Sequence, residues 1–151
     1  MLQVAIPFAW AVLVISPVWA QSGELKTPEG KLASSAGAYL ASLEYLQAFK
    51  GTECAYALPR DIESFEAALR TDVLPAFRSD LRGEVSQTMR AVKPVVVAQA
   101  KQNVDLMVAA ALKDYDKNTG CGVIAGTLAA TYARVLDKWQ ADKQSYRWKG
   151  R

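Results

Sequence analysis

The side chains best able to do covalent chemistry in this sequence are two cysteines, Cys54 and Cys121, 67 positions apart. A redox-active pair usually sits in a Cys-x-x-Cys turn, where one thiol can attack the other. This spacing suits a structural cross-link instead. The chain has no histidine, which excludes Ser-His-Asp triads, Cys-His pairs, HExxH zinc sites and His-ligated haem. Two thiolates alone make neither a structural zinc site nor a four-thiolate iron–sulfur cluster. Neither GxxxxGK[ST] nor GxGxxG occurs, so the common phosphate-cradling loops are missing. No metal and no cofactor is expected.

The carboxylates do not form a catalytic set. Glu63 and Glu66 share a helix face, but with Asp61 they mark an ordinary helix start, where acids complement the dipole. Glu44 sits among apolar residues, Leu43 to Leu46, where burial could raise its pKa, yet the apolar stripe passes beside it. Arg60 and Arg134 are isolated, and Ser34-Ser35 has no partner base. Turnover is therefore not expected.

Cations are more suggestive. From Val85 to Val104 there is no acidic residue, while Arg90, Lys93 and Lys101 are present and Arg82 precedes them. Their spacing of 8, 3 and 8 fits one helix face. Residues 21–80 carry 6 basic and 9 acidic side chains, net −3, and residues 81–151 carry 12 and 6, net +6. Such a face would dock an acidic protein, a lipid headgroup or a cell-wall polymer; a merely solvated helix face is the plainer account. At the C-terminus, Arg147, Trp148 and Lys149 form a second basic and aromatic contact, suited to a membrane interface or an anionic partner. Cations there also simply complement the helix dipole. The overall charge of +3 is too small to argue for nucleic acid.

The elements that must position these residues are helical throughout. Thr27-Pro28-Glu29 reads as a helix start, with an N-cap hydroxyl, Pro at N1 and an acid in the first turn. Leu32, Ala36, Tyr39, Leu40, Leu43 and Leu46 then recur at steps of three and four, and Gly51 stops a helix over 28–50. Pro59-Arg60-Asp61 opens a second helix with the stripe Ile62, Phe65, Leu69, Val73 and Phe77, kinked at Pro75. Ser79-Asp80 could cap a third, from about 80 to 116, striped by Val85, Met89, Val92, Val96, Ala100, Val104, Met107, Ala111 and Tyr115. Pro94 either kinks this helix or divides it. Asp116 to Gly120 reads as a turn cluster. A last helix follows over about 120–146, through Ile124, Leu128, Tyr132, Val135, Leu136 and Trp139. The fold class is all-α: an up-and-down bundle of about four main helices with Pro kinks.

Alternating helices put the end of the first and the start of the last at the same end of the bundle. Those are the places of Cys54 and Cys121, and a disulfide between them is expected. Ala33, Gly37 and Ala41 on the first helix, and Gly122, Gly126 and Ala130 on the last, are small residues at four-residue steps. They would let those two helices approach closely.

The chain has 151 residues, of which 51% are hydrophobic and 22% charged, a composition suited to one globular domain. Residues 1–20 carry no charged side chain and are apolar at 16 positions. They end in Val18-Trp19-Ala20, with small residues at −3 and −1 of a cut after Ala20, which is the pattern of a cleaved signal peptide. Pro7 and Ser16-Pro17 argue against a membrane anchor. The mature domain would be 21–151, periplasmic or secreted, where oxidising conditions favour the disulfide. Together these features imply an exported, non-enzymatic helical interaction protein of the inhibitor, immunity or chaperone-adaptor kind, with a protein partner in the envelope or outside the cell. A binder of a small apolar or anionic ligand, in a cavity lined by Tyr39, Tyr45, Phe65 and Met107, is the alternative. A metal-free helical enzyme ranks third.

Overall fold

A computed structural model describes residues 27–62 and 73–146. The proposed export segment 1–20, the stripe positions Phe65 and Leu69, the acids Glu63 and Glu66, and Arg147, Trp148 and Lys149 lie outside the described residues. The fold is an all-α bundle with one disulfide. Three long helices, α1 (Pro28–Lys50), α2 (Arg82–Asp114) and α3 (Lys117–Ser145), pack pairwise on one another. A further helix opens at 60–62, and single 3-10 turns lie at Ala55–Ala57 and Leu74–Ala76. No strand occurs among the described residues.

α1 begins as its sequence dictates. Thr27 is extended and its hydroxyl accepts a hydrogen bond from Gly30 N at 3.0 Å, with Pro28 following in the first turn. At the other end Gly51 is in the ordinary right-handed region, φ −79°, so the stop does not depend on glycine's freedom. Thr52 completes it: its hydroxyl donates to Phe49 O at 2.7 Å and accepts from Cys54 N at 3.2 Å. This turn delivers Cys54 into the core.

α3 starts earlier than its composition suggests. Asp116 is not in a loop; it is the N-cap, accepting from Thr119 N at 3.1 Å and from the Thr119 hydroxyl at 2.6 Å. These bonds, the side-chain one foremost, hold the Asp116 carboxyl below the ordinary aspartate range because they favour its charged form. Asp-x-x-Thr before a helix serves as a cap as readily as a turn. α2 begins without the expected cap. Leu81 occupies the N-cap position with no side-chain bond, and Asp80 is instead engaged by Arg78, Nη2 to Oδ2 at 2.9 Å. Pro75 kinks no helix: it sits in the first turn of the 3-10 segment Leu74–Ala76, where its missing N–H costs nothing. Pro94 does lie inside α2, which runs through it as one element of 33 residues.

The core is built by α1 and α3. Tyr39 stacks on Trp139, with ring centroids 6.2 Å apart and planes at 7°, and meets Tyr132 at 6.4 Å. Lys143 Nζ lies 5.3 Å from the centre of the Trp139 ring, within cation–π range. The Cys54–Cys121 disulfide joins the end of α1 to the start of α3, with both cysteines fully buried. At the opposite end Tyr146, whose backbone N–H donates to Asp142 O and closes α3, packs against the core. α1 and α3 are therefore antiparallel and cross-linked at one end.

One packing expectation is overturned. Ala33 and Ala41 are buried, but Gly122, Gly126 and Ala130 are exposed, and a Cβ added at Gly122 or Gly126 would meet nothing within 4 Å. α3 turns Cys121, Ile124, Ala125 and Leu128 inward instead. The close approach that needs glycine is at Gly120, where an added Cβ would lie 3.1 Å from the Ala111 carbonyl oxygen of α2. Tyr115 also leaves the expected stripe, at 54% exposure, because α2 ends at Asp114.

Candidate interaction surface

α2 lays one narrow stripe on the core: Ala100, Val104 and Val108 are buried, with Val85, Met89, Met107, Ala111 and Leu112 partly buried against it. Asn103 Nδ2 donates to the Tyr45 hydroxyl at 2.7 Å and pins α2 to α1. Much of the rest of the helix surface is open, and the four cations of the expected basic face are all exposed.

Their roles differ. Arg82 folds back on the preceding turn, with Nε donating to Phe77 O at 2.9 Å and Nη2 to Pro75 O at 3.2 Å. It supplies donors to backbone carbonyls of the turn that precedes α2. Lys101 donates to Asp105 Oδ2 at 2.6 Å, an i,i+4 pair on the same helix. Arg90 and Lys93 have no hydrogen-bond or ion-pair partner among the described residues, so the free part of the basic face is this adjacent pair, one turn apart. Beside them α2 exposes Val97, a large apolar group that sequence reasoning assigned no role.

The other candidates resolve into structure. Tyr39, Tyr45 and Met107 are packed into the core, and the Ser35 hydroxyl donates to Leu32 O at 3.1 Å. Glu44 is half-buried, whereas Arg60, Asp61 and Arg134 are exposed. Among the described residues no three His, Cys, Asp or Glu side chains converge as a metal site. At the cystine end Lys117 Nζ pairs with Glu53 at 2.9 Å, and this bond raises the lysine pKa above its ordinary value. The Tyr56 hydroxyl donates to Asn118 Oδ1 at 2.9 Å. Both contacts cross the disulfide and close that end of the bundle. No protein-family description, curated protein or solved structure matches the chain.

Proposed function

We propose that this chain is an exported, non-enzymatic helical interaction protein that binds an acidic surface of another protein through α2. The observation carrying this reading is the pair Arg90 and Lys93, exposed and uncommitted on a stretch without acids, beside apolar Val97. A charged pair on an apolar surface fits an acidic, partly apolar partner. The buried disulfide supports an oxidising compartment, and the export reading of residues 1–20 agrees with it. On that reading, the intact mass of the exported chain corresponds to a start at Gln21.

The test is binding to envelope and secreted proteins across a salt series. Association through Arg90 and Lys93 weakens as salt rises, because exposed charges are screened over about 10 Å at 0.1 M. Arg90→Glu with Lys93→Glu slows association while leaving thermal stability within about 0.5 kcal/mol. Partner capture unchanged by the double reversal refutes the reading.

A further inference from the structure

The side of α2 turned away from the core carries a second pattern. Ala91, Val95, Ala98, Gln102, Leu106 and Ala109 are all exposed, with Val95 at 65% and Leu106 at 62%. The stripe repeats every 11 residues: 91 with 102, 95 with 106, 98 with 109. That period, about 3.67 residues per turn, keeps a stripe on one side of a nearly straight helix. At about 100° per residue its centre lies on the far side of α2 from Ala100, about 120° around from Arg90 and further from Lys93.

The stripe is self-complementary when reversed. Turned end for end about its midpoint, it sets Ala91 against Ala109, Val95 against Leu106 and Ala98 against Gln102. Small residues meet small ones at the ends, and the two bulky side chains fill the space between. The charges favour the same reversal. Glu84 continues the stripe toward its N-terminal end and Lys113 toward its C-terminal end, both exposed. An antiparallel second copy brings each Glu84 toward the Lys113 of the other chain, whereas a parallel copy sets like charges together. Near the midpoint, the Lys101–Asp105 pair flanks the stripe as a neutral unit.

We propose that two copies of this chain associate through the outer stripe of α2 as a two-fold antiparallel pair. Such an interface is isologous, the commonest symmetry of homodimers. From Ala91 to Ala109 the stripe is about 27 Å long at 1.5 Å per residue. A contact between single helices of that length falls short of the roughly 1,600 Å² of a standard interface, so the dimer is reversible and concentration-dependent.

Sedimentation velocity on the exported chain tests this, from low-micromolar to sub-millimolar concentration. The expected result is a shift from monomer toward dimer. Val95→Glu with Leu106→Glu holds the chain monomeric throughout with an unchanged melting temperature, since neither side chain is in the core. Glu84→Lys or Lys113→Glu alone weakens association by about tenfold, because two rim pairs turn repulsive; the two together restore it. Arg90→Glu with Lys93→Glu leaves dimerisation intact, which separates this inference from the acidic-partner reading. A wild-type chain that stays monomeric, or a dimer indifferent to Leu106→Glu, overturns the proposal. α2 is also long and apolar enough to cross a membrane by length and composition. A monomer that binds phospholipid vesicles through Val95 and Leu106 therefore assigns the stripe to lipid and overturns the dimer equally.

Discussion

α1 and α2 are both long, both rich in Ala and in aliphatic side chains (Leu in α1, Val in α2), and yet they serve the fold in opposite ways. α1 buries eleven of its 23 residues, while α2 buries three of its 33. α1 is hemmed in by α2 and α3, so most of its circumference meets protein. α2 touches the core along one line and shows much of its remaining surface to solvent. An apolar residue on α1 is thus a packing residue by default. On α2 it is one only at the positions in phase with Ala100 and Val104, and the others are available for contacts outside the chain.

The largest break in this comparison comes from truncating each kind of side chain. Trp139→Ala removes the fully buried ring against which α1 packs and costs about 3–5 kcal/mol. Leu106→Ala stays within about 0.5 kcal/mol. Denaturant midpoints at constant slope read both, and equal losses would mean that α2 packs as deeply as α1. Cys121→Ala comes next, at about 2–5 kcal/mol, because a cross-link over 67 positions restrains the unfolded chain. The same loss should follow reduction of the native protein, and a reductant-insensitive melting temperature contradicts it.

Glycine replacement sharpens the contrast on α3. Gly122→Ala and Gly126→Ala face open space within a helix and should each stabilise by about 0.5–1 kcal/mol. A loss at either position would show that something covers that face in solution. The smallest effect is alkaline. Burial, reinforced by the neighbouring Glu29, raises the Tyr146 pKa, so the folded state holds the phenolic proton more tightly than the unfolded chain. That contribution is complete below the ordinary tyrosine pKa of about 10 and is lost as pH rises through the raised value. The melting temperature should fall over that window, and Tyr146→Phe should flatten the fall.

Much of the fold was legible because local signals agreed with packing. Thr27-Pro28 and the Leu32-to-Leu46 stripe set the bounds of α1 correctly, and the parity of alternating helices paired the cysteines. The stripe through Pro94 also held phase, since a proline ring removes one hydrogen bond without changing which residues share a face. What misled was ambiguity of face and of punctuation. Gly122, Gly126 and Ala130 do share a side of α3, but spacing fixes a side without saying which way it turns, and Ile124 and Leu128 outweigh them for the interior. Asp116 to Gly120 has the composition of a turn and the hydrogen bonds of a cap. Of the candidate site, the cations on α2 were legible as a group. That Arg82 and Lys101 are spent on neighbours was not, because those bonds depend on the turn at Pro75 and on rotamers along the helix.

The disulfide has a topological consequence. Its covalent ring runs from Cys54 to Cys121 and contains the whole of α2, the helix with the least grip on the core. If α2 lifts away, the ring that carries it stays closed at the cystine, which keeps the helix close to its seat. A protease that cuts the lifted segment opens the ring without dividing the molecule. The two pieces run as one band until reductant is added, so cleavage in α2 is silent to mass loss and visible only after the cystine is broken.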